Sequence, residues 1–131
     1  MGDTWRKAAR AVLSAGGSVR INGVEDDIKT KDALPKKAFR LTEIWFTMPV
    51  KDAELAAVAE CKHLTGAYLV GTQITSEGLA HLKECKGLTF LYLSGTKVDD
   101  GSAADIKQFT KLKDLSVGLT GISEKGVEEI A

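Results

Sequence analysis

The chain repeats itself every 24 residues from Cys61 onward. Residues 61–74, 85–98 and 109–122 align without a gap, and apolar residues recur at the same places in each copy. Self-similarity at a period in the twenties indicates that the chain winds one supersecondary unit after another, each contacting mainly its neighbours. With 131 residues in total, the chain is long enough for one domain and too short for two.

Each copy begins with a short alternating segment that follows the pattern L-x-x-L-x-L-x-x-T-x-I/V. Alternation of apolar and polar residues is typical of a half-buried strand. It predicts strands near 42–47, 65–70, 89–94 and 113–118, with the fourth and sixth positions of the pattern facing the core. The rest of each copy has apolar residues at helical spacing, and Thr75, Asp99 and Ser123 are predicted to accept hydrogen bonds at the helix starts.

The pattern resembles the leucine-rich repeat, in which Asn or Cys stands where this chain has Thr72, Thr96 and Thr120. It is most similar to the short bacterial leucine-rich repeats. The resemblance implies an α/β solenoid with a curved parallel sheet on the concave face and short helices on the convex face. It covers residues 41–131, with the last repeat incomplete, and it implies protein–protein recognition through the concave sheet.

The N-terminal third fits the pattern less well. Residues 18–40 are predicted to form a degenerate first repeat that places Val19 over Ile44 and Ile21 over Phe46. Residues 1–17 have apolar residues at helical spacing and end in two glycines. They predict an N-terminal capping helix, because a solenoid needs its first layer covered.

Composition narrows the range of partners and compartments. Eighteen basic and eighteen acidic side chains give a formal net charge of zero, which is untypical of proteins that bind nucleic acid or anionic membranes. The apolar runs are far shorter than the roughly 20 residues that span a bilayer. The N-terminal residues lack the apolar region of a signal peptide, so the expected location is the cytoplasm.

The polar and reactive residues do not form a recognisable catalytic or metal motif. Cys61 and Cys85 are equivalent positions one repeat apart, so we expect two buried, reduced thiols and no zinc site. His63 and His81 have no nucleophile or carboxylate at a catalytic spacing. The acidic run at 25–27 lacks the ligand spacing of a calcium loop. We therefore predict a non-enzymatic protein without metal or cofactor.

One row of side chains stands out on the predicted strands. The fifth position of the pattern faces away from the core and holds Trp45, Tyr68, Tyr92 and Ser116 on successive strands. Aromatic residues on an exposed sheet face are typical of contact surfaces, and Trp, Tyr and Arg dominate interface energetics. The predicted partner-binding residues are Arg20, Glu43, Trp45, Tyr68, Phe90, Tyr92 and Asp114.

These observations favour a protein-interaction module whose partner binds the concave sheet face. Two alternatives that keep the repeat fold stay open. One is the substrate-receptor segment of an F-box-like ubiquitin-ligase adaptor, whose repeats also carry Cys before the leucine strand. The other is a structural or self-associating part of a longer repeat protein, with self-association through the C-terminal edge. An enzyme or glycan-binding domain is a further alternative that rests on the aromatic residues alone.

Overall fold

A computed structural model describes residues 2–46 and 50–131 as an α/β structure. The described elements run in the order α1 (Gly2–Ser14), β1 (Ser18–Ile21), β2 (Leu41–Trp45), α2 (Asp52–Ala56), β3 (Gly66–Tyr68), α3 (Ser76–Leu79), β4 (Phe90–Tyr92), α4 (Ala103–Lys107), β5 (Asp114–Ser116) and α5 (Glu124–Ile130). Single 3₁₀ turns cover Lys31–Ala33, Ala80–Leu82 and Asp100–Ser102. The five strands form one sheet in the order β1-β2-β3-β4-β5.

Strands β2 to β5 are parallel, as the repeat predicts. Ile44 pairs with Ala67, Ala67 with Leu91, and Leu91 with Leu115. The strands are shorter than expected, and residue 47 of the first predicted strand lies outside the described residues. The register follows from the alternation, because a slip by one residue would move every apolar side chain to the opposite face.

A single hydrophobic cluster lies on one face of the sheet. Ile44, Ala67 and Leu91 are fully buried in it, which confirms the predicted inward positions. The helices bury their apolar side chains in the same cluster, among them Val12 of α1 and Ile106 of α4. We call the other face, which carries Trp45, Tyr68 and Tyr92, the open face.

The direction of β1 differs from the expectation of a further repeat. β1 is antiparallel to β2, so Ile21 pairs with Leu41 and the predicted placement of Ile21 over Phe46 is wrong. Val19 does pair with Ile44, as expected. An alternating segment looks the same in either chain direction, so the sequence alone could not decide between them. The predicted helix before it is present as α1, which packs against β1 and β2.

Threonine hydroxyls stabilise the turns after the strands. The hydroxyl groups of Thr72, Thr96 and Thr120 donate to the carbonyl oxygens of Leu69, Leu93 and Val117, at 2.7, 2.7 and 2.6 Å. Each threonine therefore bonds to backbone three residues earlier in its own copy. This is the role expected of a hydroxyl at a position where the leucine-rich repeat has an amide.

The helix starts are linked from one copy to the next. Asp52 accepts hydrogen bonds from the backbone N–H and the hydroxyl of Thr75. Two copies later, Asp100 accepts the same pair of bonds from Ser123, at 2.8 and 2.6 Å. In the copy between them the side-chain roles are exchanged: the Ser76 hydroxyl donates to the Asp99 carboxylate at 2.7 Å, and it accepts from the backbone N–H of Asp99 at 3.1 Å.

The predicted helix caps are confirmed at two positions and wrong at one. Asp99 accepts from the backbone N–H of Gly101, and Ser123 accepts from that of Gly126. Thr75 makes no such bond within its own helix, and its hydroxyl donates to Asp52. A carboxylate is a stronger acceptor than a hydroxyl, so it recruits Thr75 as a donor.

No helix in the described parts of the chain has the length and apolar character needed to cross a lipid bilayer.

Candidate binding face

Four aromatic rings form a continuous cluster on the open face, which we call the aromatic stripe: Trp45, Tyr68, Phe90 and Tyr92. Trp45 stacks on Tyr68, with ring centroids 4.7 Å apart and planes inclined by 20°. Tyr68 meets Tyr92 edge to face at 5.9 Å. Phe90 contacts both Trp45, at 6.0 Å, and Tyr92, at 5.1 Å. Each ring therefore touches at least two others, and all four are only partly buried.

Phe90 reaches Trp45 because there is no side chain between them. Gly66 pairs with Phe90 on the neighbouring strand, and the Phe90 ring lies directly over its Cα. A Cβ atom at residue 66 would overlap the ring. Gly66 is consequently buried, although it belongs to the outward-facing row of the sequence pattern. It allows Phe90, from the third position of the pattern, to join the row of Trp45, Tyr68 and Tyr92 in one patch.

A charged cluster borders the stripe at β1. Arg20 Nε donates to Asp27 Oδ1 at 2.7 Å, and Arg20 Nη1 lies 3.5 Å from Glu43 Oε1. The guanidinium also lies over the Trp45 ring, 5.5 Å from its centroid. The hydrogen bond to Asp27 and the negative charge of Glu43 raise the pKa of Arg20 above its usual value. Arg20 is thus held on the ring of Trp45 by two carboxylates.

Two polar atoms in this region lack a hydrogen-bond partner among the described residues. They are Trp45 Nε1 and Glu43 Oε1, and both are buried. Glu43 Oε1 has an ion-pair contact with Arg20, whereas Trp45 Nε1 has no polar contact of this kind. An unsatisfied buried N–H costs about 1–3 kcal/mol.

A cleft adjoins the stripe beside Trp45 and Tyr68. It has a volume of about 290 Å³ and is also lined by residues 16–18 and Lys29. Lys29 in this cleft and Asp27 beside Arg20 belong to the segment 18–40, which fits the repeat pattern poorly. Their place beside the stripe depends on the bridge between Val19 and Ile28, which brings residues 27–29 back along β1. No local sequence pattern signals that bridge.

The predicted residues do not all lie together. Arg20, Glu43 and the aromatic stripe form one continuous surface, with Gly66 beneath it. Asp114 pairs with Phe90 in the register of β4 and β5 but is exposed at the edge of the sheet. Ser116 continues the outward row after Tyr92, and its hydroxyl bonds to that of Ser94. The aromatic character therefore ends at β4.

A second groove, about 550 Å³ in volume, lies near the start of β2 and beside α1. Its walls include Trp5, His63, Phe39 and Arg40. Trp5 meets the His63 ring edge to face at 5.5 Å, and Arg6 lies over Phe39 at 5.1 Å. These contacts hold α1 against the rest of the protein. They account for the apolar residues that line the groove.

The two thiols are buried, as predicted. Cys61 and Cys85 are unpaired and inaccessible, and Cys85 Sγ lies 3.4 Å from the carbonyl oxygen of Cys61. Burial raises the pKa of Cys61 to about 12 and that of Cys85 to about 11. A neutral buried thiol is a poor nucleophile. Within residues 2–46 and 50–131, no three His, Cys, Asp or Glu side chains gather as metal ligands would.

Neither the known protein-family models nor the curated proteins include a match to this chain.

Proposed function

We propose that the protein is a non-enzymatic, cytoplasmic protein-binding module of the leucine-rich-repeat type, which holds a protein partner on the open face of its sheet. The observation that carries the proposal is the aromatic stripe, in which four rings form one partly exposed patch. Such patches usually mark contact surfaces, and buried aromatic anchors supply most of the energy of an interface. The adaptor alternative is a special case of this proposal, with a protein substrate as the partner.

The polar groups beside the stripe support a peptide or protein surface as the ligand. The hydroxyls of Tyr68 and Tyr92 can both donate and accept hydrogen bonds. Arg20 lies over Trp45 and is held by carboxylates that a ligand carboxylate could replace. The proposed contact residues are Arg20, Glu43, Trp45, Tyr68, Phe90 and Tyr92, with Asp114 at the margin.

The test compares partner capture by the wild-type protein and by a Tyr68→Ala, Tyr92→Ala variant, with captured proteins identified by mass spectrometry. The matched control is Lys83→Ala, Lys107→Ala, which changes two exposed residues outside the stripe. We expect the stripe variant to lose the specific partner and the control to retain it. The proposal fails if the folded stripe variant captures that partner with unchanged affinity.

Stability has to be measured in parallel. Each lost ring contact costs about 0.5–1.5 kcal/mol, and no core cavity opens because the inward neighbours Ala67 and Leu91 are unchanged. We expect the variant to remain folded with a lower unfolding midpoint. Complete unfolding would mean that the stripe is part of the core, and it would argue against a binding role.

A further inference from the structure

The outer edge of β5 repeats a hydrogen-bonding pattern whose acceptors are missing. In the preceding copies one backbone N–H donates to the next strand: Phe46 to Tyr68, Leu69 to Tyr92, and Leu93 to Ser116, at 2.9, 2.9 and 2.7 Å. The equivalent N–H belongs to Val117, and it has no partner among the described residues. The N–H of Leu119 also lacks a partner among the described residues. The residues at its position in the preceding copies, Gly71 and Gly95, donate to Ser94 and Gly118.

The apolar layer beside this edge is only partly covered. Leu115 and Val117 are partly exposed, whereas Leu91 and Leu93 at the same positions of the preceding copy are fully buried. Leu112, Ile122 and Ile130 are partly exposed as well. An uncovered strand edge next to an uncovered apolar layer is a template for pairing with another chain.

Leu119 adds an exposed apolar side chain to the same surface. Gly71 and Gly95 have φ angles of 74° and 76°, and Leu119 takes their place in the third copy with a φ of 56°. Its side chain is 93% exposed. A leucine in the left-handed region is unfavourable for the isolated backbone, and its exposure gains nothing in solution. Burial of the Leu119 side chain against another molecule would offset the cost of this backbone conformation.

The opposite edge of the sheet is closed. β1 is bridged on its outer side by Ile28, and α1 packs against β1 and β2. A head-to-tail stack of copies therefore has no second open edge to use among the described residues. A two-fold arrangement that joins two β5 edges is self-complementary and ends at two copies.

The backbone groups on the β5 edge match such a two-fold pairing. In the parallel register, the groups that point outward from β5 are the carbonyl of Lys113, the N–H and carbonyl of Leu115, and the N–H of Val117. If Leu115 faces Leu115 of a second copy in an antiparallel pair, Lys113 faces Val117 of that copy. All four groups then have partners on both copies.

Charges on the two ends of β5 are complementary in this arrangement. The groove at the start of β5 is lined by Leu112, Leu115 and Ile130 together with Lys107 and Lys113. The groove at its end is lined by Val117, Leu119, Ile122 and Val127 together with Glu124 and Glu128. A two-fold axis at Leu115 places the basic groove of one copy against the acidic groove of the other.

We propose that this surface binds a second copy of the chain, with the two β5 strands antiparallel and Leu119 buried between the copies. The test is sedimentation equilibrium of the full chain with the charge-reversal variants Lys113→Glu and Glu128→Lys. Both residues are exposed, so neither change should affect folding. Lys7→Glu in α1 is the matched control, because it makes the same charge change at an exposed position far from β5.

We expect a wild-type dimer, and a dissociation constant raised roughly tenfold or more in each β5 variant, because like charges then face each other at two places. An equimolar mixture of the two variants should form a heterodimer close to wild-type affinity, since both contacts regain opposite charges. Lys7→Glu should behave as wild type, and Leu119→Gly should also weaken the dimer.

Three results would overturn the proposal. The first is a wild-type chain that stays monomeric up to about 1 mM. The second is assembly beyond two copies, which would point to stacking of further parallel strands. The third is a mixture that associates no better than the separate variants. No other partner takes part in these measurements, so their outcome is independent of binding at the aromatic stripe.

Discussion

The carboxylate of Asp52 lies against the Cα of Gly78, in the space that a side chain at residue 78 would occupy. The same relationship recurs between Asp100 and Gly126. Each carboxylate reaches across to the next copy and accepts two hydrogen bonds at its helix start. The hydrogen bond from the Ser123 hydroxyl lowers the pKa of Asp100 most, and the bond from the Ser123 backbone N–H lowers it further. The glycines are therefore needed for space and not for backbone freedom.

Alanine at Gly78 or Gly126 should destabilise the protein. The new Cβ overlaps the carboxylate and displaces it from its donors, at a cost of about 1–3 kcal/mol. A helical Gly→Ala change otherwise gains about 0.5–1 kcal/mol. Urea unfolding measures the difference. Gly87→Ala is the control, because a Cβ there has only an ordinary contact, 3.7 Å from the carbonyl oxygen of Leu64. Equal effects at Gly78 and Gly87 would contradict the assignment.

Gly66→Ala should rearrange the aromatic stripe and lower the free energy of unfolding only slightly. The Phe90 ring is the end of a mobile side chain, so it can rotate away from the new Cβ and lose its contact with Trp45. The measurement is the emission spectrum of Trp45 in a Trp5→Phe background. In a Phe90→Ala protein the same change at Gly66 should have no effect on that spectrum, and a persistent effect would show that the ring is not the cause.

The thiols should make the protein sensitive to alkali. Both thiols have a folded-state pKa above the unfolded value of about 8.5. Their contribution to the stability of the folded state is therefore fully present below about pH 8.5. Above it the unfolded chain loses protons first, and each thiol removes up to about 1.4 kcal/mol per pH unit until the folded-state pKa is reached. We expect the free energy of unfolding to fall between about pH 8.5 and 11.

A Cys61→Ala, Cys85→Ala variant is the comparison for this slope. Its free energy of unfolding should fall less steeply over the same pH range, even though its stability at neutral pH is lower. Thiol reagents at pH 8 should label the wild-type protein only after denaturant is added. Rapid labelling of the folded protein would mean that the thiols are accessible.

Leu119→Gly should stabilise the monomer. The left-handed conformation costs a non-glycine residue roughly 1–2 kcal/mol, and glycine gives back roughly 0.5–1 kcal/mol through its greater freedom in the unfolded chain. The expected net gain is about 0.5–1 kcal/mol, measured by thermal unfolding at low protein concentration. Gly95→Leu is the reciprocal change and should destabilise. A loss of stability in Leu119→Gly would mean that the side chain already makes favourable contacts within one copy.

The sequence predicted the parts of the structure that depend on periodicity. The alternation at Ala67, Leu91 and their neighbours determined the strand positions, their parallel pairing and the face on which the aromatic residues lie. The direction of β1 was not predictable, because an isolated alternating segment has no neighbour of known register. The charged cluster of Arg20 was not predictable either, because Asp27 reaches it through a loop that lies outside the repeat.

The links between helix starts were missed although a signal was present. Asp52 and Asp100 are each followed 26 residues later by a glycine, at Gly78 and Gly126. Reading each polar residue as the cap of its own helix hides such pairs, because their partners belong to the next copy.

The exchange of roles along these links gives the polar contacts a period of two copies. Asp52 and Asp100 are 48 residues apart, as are Thr75 and Ser123, whereas Ser76 and Asp99 between them carry the opposite roles. Duplicating the single copy that contains Asp99 and Asp100 would bring two carboxylates face to face, and like charges in contact are unfavourable. Duplicating two adjacent copies would preserve every donor and acceptor. Lengthening or shortening of this protein, by evolution or by design, should therefore succeed in steps of 48 residues more readily than in steps of 24.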